Sequence, residues 1–146
     1  MATASPEIAQ QLVVFSLGDE EYALPITQVQ EIIRYTEPRA VASDEAWIKG
    51  VISLRGKIVP VCDLGSRLGL STELAAHAKI VIVETGGGTA GVIVDEVEEV
   101  LTVDSDELDT VPAAGTDFID AIAKIGDRLV ILLNPEGIFS GVELAA

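Results

Sequence analysis

Two blocks of this chain each recur once, in the same order and at nearly the same distance. That duplication constrains the fold more than any other feature of the sequence. The stretch Trp47 to Leu64, WIKGVISLRGKIVPVCDL, returns as FIDAIAKIGDRLVILLN from Phe118 to Asn134. Laid over one another without gaps, Ile48 falls on Ile119, Val51 on Ile122, Leu54 on Ile125, Ile58 on Leu129, Val59 on Val130 and Val61 on Leu132. Leu12 to Ile33, LVVFSLGDEEYALPITQVQEII, returns as IVIVETGGGTAGVIVDEVEEVL from Ile80 to Leu101, again without gaps and with nearly the same offset. Gly18 then meets Gly86, Leu24 meets Val92, Ile26 meets Val94, Val29 meets Val97 and Glu31 meets Glu99. Any two apolar hairpins align to some degree. Two ordered blocks at matching distances point instead to two similar subdomains.

The blocks read as strands. Residues 1 to 10 are polar and aperiodic, a loose tail. Leu12–Leu17 is β-branched and aromatic, Gly18 to Glu21 is a turn, and Tyr22–Ile26 returns as a hairpin that Pro25 confines to an edge or a strand end. Thr27 reads as an N-cap, and Val29, Ile32 and Ile33 have helical spacing, which predicts a short helix. A one-turn helix is expected over Ser43–Trp47. Val51–Leu54 and Lys57–Val61 form the next hairpin around Arg55-Gly56, where glycine tolerates positive φ. Asp63 is placed to cap a short helix through Leu68, with Gly69 as its stop. A polar, Ala-rich link, Ser71–Ala78, precedes a hairpin of Lys79–Glu84 and Ala90–Val94 with Gly86-Gly87-Gly88 in its turn. Glu96–Val103 has apolar residues at Val97, Val100 and Val103. Ile119–Ile125 and Leu129–Leu133 form the last hairpin around Gly126-Asp127, and Pro135 opens a short helix ending near Gly141. Short strands at regular spacing, bounded by turn residues, favour small barrels over an open parallel sheet.

Composition narrows the function classes. The 146 residues suit one domain, or two small halves sharing a core, and 49% are apolar. A net charge of -15 argues against nucleic acid, whose phosphates need Lys and Arg, and against an anionic membrane surface. It suits basic or polar protein partners. The single Cys62 excludes an internal disulfide and fits a reducing compartment. No basic start followed by an apolar run marks a signal peptide, and no uncharged apolar stretch is long enough to span a bilayer.

No residue set makes a case for catalysis. His77, the one histidine, lies in the link with no Cys or second His at ligand spacing, so zinc is not expected. Cys62 lies in an apolar strand, where an inert buried thiol is the default. Gly86-Gly87-Gly88 lacks the Lys-Ser or Lys-Thr of a phosphate loop and leads into a strand. Asp104 to Asp109 resembles the opening of a calcium loop, but Asp109 stands where glycine is required and Gly115 where glutamate is required. It reads as a solvated acidic helix start. What remains is surface. Arg55 at a hairpin tip offers a planar fork of donors for carboxylates or carbonyls, or is an ordinary solvated turn residue. Glu31 reads as a polar face residue, and Val29, Val97 and Val100 as core that a groove between two barrels could expose.

Four segments together resemble the CheW family, which couples bacterial chemoreceptors to the histidine kinase CheA. They are VVFSLGDEEYALPITQVQEI (Val13 to Ile32), IKGVISLRGKIVPVCDL (Ile48 to Leu64), GVIVDEVEEVL (Gly91 to Leu101) and GDRLVILLN (Gly126 to Asn134). The resemblance implies a mainly β fold of two intertwined SH3-like five-stranded β-barrel subdomains with short helices. The implied domain is 11–141, with a first barrel about 11–70, a second about 79–134, an option of exchanged termini, and tails at 1–10 and 142–146. It implies no catalysis, cofactor or metal. It implies a cytoplasmic adaptor recruited to receptor clusters at the inner face of the membrane, without insertion into the membrane. The implied partners are the CheA regulatory domain, the cytoplasmic tip of chemoreceptors, and other CheW-like domains in rings. Val29 and Glu31 in VQEI, Gly50 and Arg55 in KGV and LRG, and Ile80, Val97 and Val100 in the second block match the family's partner-binding positions. Ile80 stands where some relatives carry Val. Three other readings stay open: an adaptor of a paralogous twitching, gliding or biofilm pathway, a module cut from a larger kinase or receiver fusion, and a small β-barrel enzyme or ligand carrier with a deep polar pocket around Cys62 or His77.

Overall fold

A computed structural model describes residues 10–41, 46–70, 74–110 and 118–139. In chain order the first repeat gives β1 (Gln10–Leu17), β2 (Glu20–Pro25), a 3-10 turn (Ile26–Gln28), β3 (Val29–Arg34), β4 (Ile48–Leu54), β5 (Lys57–Asp63) and α1 (Leu64–Arg67). The second gives β6 (Lys79–Thr85), β7 (Gly88–Val94), β8 (Glu96–Val103), a 3-10 turn (Ser105–Glu107), β9 (Leu108–Thr110), β10 (Ile119–Ile125), β11 (Arg128–Leu133) and α2 (Pro135–Ile138).

Neither sheet is a contiguous stretch of chain. A six-stranded sheet runs β8-β1-β2-β11-β10-β9 and a five-stranded sheet runs β3-β6-β7-β5-β4. The leading hairpin of each repeat, β1-β2 or β6-β7, is therefore built into the sheet of the other repeat. Each is joined there by one parallel ladder, β2 to β11 and β7 to β5. Registers repeat residue for residue. Leu132 opposite Ala23 matches Val61 opposite Gly91, and Glu99 opposite Val14 matches Glu31 opposite Ile82. Even the register shifts recur, one between Ile48 and Gly50 and one at the equivalent place between Ile119 and Ala121.

Three apolar clusters explain the pattern. Leu12, Val14, Ala23, Val103, Ala121, Ala123, Val130 and Leu132 fill the curve of the six-stranded sheet. Ile52, Val59, Val61, Ile80 and Ile82, with Ile33, Leu54 and Ile93 against them, fill the five-stranded one. In both, every strand contributes to a single cluster, so each sheet curls around its own contents in SH3-like fashion. The third cluster lies between the sheets, where Phe15, Leu17, Tyr22 and Leu24 meet Cys62, Leu64, Val81, Val83, Val92 and Val94. β1 and β6 thus feed one core with even positions and another with odd ones. That is why LVVF and IVIV are unbroken apolar runs, not alternating ones.

Several sequence expectations change. The helix expected from Thr27 through Ile33 is a 3-10 turn followed by β3, whose burial alternates with period two. Pairing with β6 supplies its hydrogen bonds, and β-branched Ile32 and Ile33 suit a strand, so tertiary pairing overrides the local spacing. The six-stranded sheet also gains β9, too short and polar to be read in advance. Its counterpart in the first repeat is the single bridge between Arg39 and Val51. The caps hold. The Asp63 carboxylate accepts from the Ser66 amide, and the Asn134 side chain, in the equivalent place of the second repeat, from the Glu136 amide at 3.0 Å. The acidic start at Asp104 is a capping box closed by Glu107. Most of the helix expected at Ser43–Trp47 falls at residues 43–45, outside the described residues, as does the end placed near Gly141.

Phe15 is fully buried in the shared cluster, its ring stacked on Tyr22 with centroids 6.2 Å apart. Phe15→Ala is expected to cost about 3–5 kcal/mol in urea unfolding. The transition should stay single, because both sheets lean on that cluster. Separate transitions for the two sheets would contradict this packing.

Candidate partner-binding surfaces

Arg55 and Glu31 come together. Arg55-Gly56 is the tip of the β4-β5 hairpin, and both residues have positive φ (54° and 81°), the conformation of a two-residue type I′ turn. An arginine tolerates that conformation less readily than glycine or asparagine. Its side chain is put to use: Nε donates to Glu31 Oε2 at 3.0 Å and Nη2 to Glu31 Oε1 at 2.8 Å. The hydrogen bond and the charge of Glu31 push the Arg55 guanidinium further above its already high value. β3 and β4 are the two edges of the five-stranded sheet, so this forked pair clasps one edge to the hairpin that carries the other. The guanidinium remains 74% exposed and Glu31 25% exposed, leaving donors for a partner.

The second half carries a related clasp that the sequence did not single out. Glu99, the repeat of Glu31, accepts from Arg128 Nη2 at 2.8 Å, and Arg128 also forks onto Glu21 with two bonds of 3.1 Å. Bonds to Glu21 and then Glu99 raise the Arg128 guanidinium. The arginine has moved from the hairpin tip to the first residue of β11, so the charge pair recurs without the sequence position.

The remaining expected residues divide by burial. Val29 and Val97 are half-buried repeats of one another. Val29 lies opposite Val83 and Val97 opposite Phe15, and both pack on the rim of the shared cluster. Val100 is 51% exposed, and its repeat Ile32 is 39% exposed. Gly50 is buried and acts through its backbone. A Cβ there would stand 2.1 Å from the carbonyl oxygen of Arg39, which accepts from the Val51 amide, and its φ is 150°. Ile80 is a correction. It is fully buried among Ile52, Val59, Val61 and Ile82, because its place on β6 faces the curl of the sheet, and it offers no surface to a partner.

Two further apolar residues stand out. Ile58 is 61% exposed and Leu129 57% exposed, and they occupy equivalent positions on the two halves. Their strands alternate as core strands do, so only burial reveals that this phase faces outward. The seam between the halves holds a third feature. The Arg67 guanidinium lies 4.7 Å from the ring centroids of both Trp47 and Phe118, themselves a repeat pair, and its Nε donates to the Ile138 carbonyl at 3.1 Å. Ile138 is the repeat of Arg67, so a single cation occupies the place where the two halves meet.

Little here suits chemistry. Cys62 is buried in the shared cluster, and burial, reinforced by Asp63, pushes its thiol far up, with Arg67 opposing. His77 is exposed on the link. A cavity of about 360 Å³ is lined by Leu17, Tyr35, Glu37, Lys49, Asp63 and Asp95 among others, and burial, then Glu37 and Asp63, raise the Tyr35 phenol. Among the described residues, no group of three or more His, Cys, Asp or Glu could hold a metal ion, and no helix is long and apolar enough to cross a membrane.

Comparison with known proteins agrees with this geometry. The family model for the CheW-like domain matches residues 11–143. The chain is 31% identical to a chemotaxis protein CheW of Klebsiella aerogenes, over 97% of this chain and 89% of that protein. It is 34% identical to that of Bacillus subtilis, over 93% and 90%. Protein PilI of Pseudomonas aeruginosa is 34% identical over 57% of this chain and 47% of its own length. Among solved structures, the scaffolding protein TtCheW of Thermoanaerobacter tengcongensis superposes with a TM-score of 0.85 at 35% identity, over 91% of this chain and 94% of that one.

Gly50 has a consequence for stability. Its repeat is Ala121, where β9 pairs instead of the Arg39 bridge. Gly50→Ala should force the Arg39 segment outward and lower stability by about 1–3 kcal/mol in urea titration. An unchanged midpoint would contradict the close approach.

Proposed function

The chain belongs to the CheW-like family, and from that premise we propose that it is a non-catalytic adaptor that couples transmembrane chemoreceptors to the histidine kinase CheA. One surface would bind the kinase regulatory domain. The rim of the shared cluster at Val29 and Val97, with the Arg55–Glu31 clasp, would take the cytoplasmic tip of the receptor. The observation that carries this reading is the duplicated outer surface. Ile58 and Leu129, with Ile32 and Val100, give each half its own exposed apolar positions, and a single rigid body with two such faces is built to touch two neighbours at once. The same faces would allow contacts with other CheW-like domains in rings. The acidic charge suits an adaptor that works in the cytoplasm beside the receptor tips, away from lipid and nucleic acid.

The mechanism is linkage through binding energy. An adaptor that holds kinase and receptor in one assembly transmits a receptor's conformational bias only if its contacts differ between the kinase's two states. The clasp suits that role. Arg55 is anchored by Glu31 yet mostly exposed, so its position is fixed before a partner arrives. A second reading, an adaptor of a paralogous chemosensory pathway, is favoured by the likeness to PilI, but that likeness spans 57% of the chain against 97% and 93% for the two chemotaxis relatives.

Arg55→Glu tests the proposal. The fold should persist, because the side chain is solvent-facing and the change leaves the core untouched. In a reconstituted mixture of receptor signalling fragment, CheA and this protein, receptor-dependent kinase autophosphorylation should fall by about tenfold or more, the scale of one lost charge-assisted contact. Full kinase activation by a folded Arg55→Glu protein would contradict the assignment.

A further inference from the structure

Two cations of this acidic chain face each other with no carboxylate among the described residues between them. Arg34, the last residue of β3, is directly opposite Lys79, the first of β6. Residues so paired in an antiparallel ladder place their side chains on one face with Cβ atoms about 4.5–5.5 Å apart, and like charges there destabilise the sheet. Arg55, Arg128 and Lys124 each hold a carboxylate, and Arg67 lies between two rings. Among the described residues neither Arg34 nor Lys79 makes an ion pair or a side-chain hydrogen bond.

The duplication shows that this pair is not required by the fold. Its repeat is Thr102 opposite Gln11, uncharged and in the same register. The charge therefore marks the face of one half only. The pair opens on a cleft of about 680 Å³, lined also by Tyr35, Leu74, His77 and Ala78. Leu74 is exposed, and Ile32, two residues before Arg34 on the same outward face of β3, is exposed too. Two donors of fixed spacing thus sit beside apolar surface. Arg34 can take a carboxylate with its planar fork and Lys79 a second as a point charge.

We propose that Arg34 and Lys79 form a docking site for a partner-protein segment that carries two neighbouring carboxylates flanked by an apolar side chain. Binding relieves the repulsion between the two cations, so the segment stabilises the ladder it docks on. The net charge of -15 selects a short acidic segment over an extended polyanion, which the rest of the surface repels. The site goes beyond the coupling role, since its two cations belong neither to the Arg55 clasp nor to the Val29 and Val97 positions, and it shares only Ile32 with the apolar positions of that role.

The test is an amide NMR titration of the isotope-labelled full chain with acetyl-Leu-Glu-Glu-Leu-amide at low ionic strength. Saturable shifts confined to Ile32 through Thr36 and Leu74 through Ile80 are expected. They should weaken about tenfold at high salt and vanish in Arg34→Gln and in Lys79→Gln. Each of those variants should also melt at a higher temperature than the parent, because a repulsive pair has been removed. Equal binding of acetyl-Leu-Gln-Gln-Leu-amide, equal shifts at Arg39, Lys49 and Lys57, or no shifts at all would overturn the proposal. Inorganic phosphate producing the same shifts as tightly would reduce the site to a general anion contact and overturn it as well, as would a lower melting temperature in both variants. None of these outcomes depends on kinase or receptor, so failure here leaves the adaptor reading to its own test.

Discussion

Burial of β1 and β6 on both faces is the constraint on which the rest of this structure depends. Each of these strands gives one face to a curled sheet and the other to the cluster between the sheets. A strand placed this way cannot be withdrawn without opening two cores at once. The exchange of hairpins follows from it, since β1-β2 completes the sheet of β8 to β11 while β6-β7 completes that of β3 to β5. The two halves are thereby one mechanical body, which is what an adaptor with two faces requires.

Against that near-symmetry, the departures carry the most information. Where both copies need the same backbone, they keep the same register shifts, the same caps and the same cross-strand partners. Where they differ, a specific contact is present in one copy only. Arg67 lies between Trp47 and Phe118 where Ile138 would be its twin, because one guanidinium fills the seam. A cation held by aromatic faces in this way contributes about 0.5–2 kcal/mol. Gly50 admits a crossing segment where Ala121 meets β9. Arg34 and Lys79 carry charge where Thr102 and Gln11 carry none.

Much of this is legible in the residues. The two repeated blocks locate eight of the strands, and Arg55-Gly56, Asp63 and Pro135 mark turns and caps through local chemistry that a neighbour cannot easily override. β3 escapes a sequence reading because Val29, Ile32 and Ile33 fit a helical stripe as well as a strand, and only pairing with β6 decides between them. Arg55 and Glu31 are both legible as polar surface, but their bond is not, since it joins positions far apart in the chain across two sheet edges. Ile80 matches a partner-binding position of the family, yet a matching position says nothing about which face of a strand looks outward. Ile58 and Leu129 go unnoticed for the same reason in reverse.

The most direct measurement is an amide NMR titration of the labelled chain with the CheA regulatory domain and then, in the same sample, with a receptor-tip fragment. The account predicts two separate saturable patches. One should lie around an exposed apolar position such as Ile58 or Leu129, and the other around Val29, Val97 and Arg55, with the first undisturbed when the second fills. A single patch for which the two partners compete, or no shifts with either, would contradict the claim that this chain bridges them.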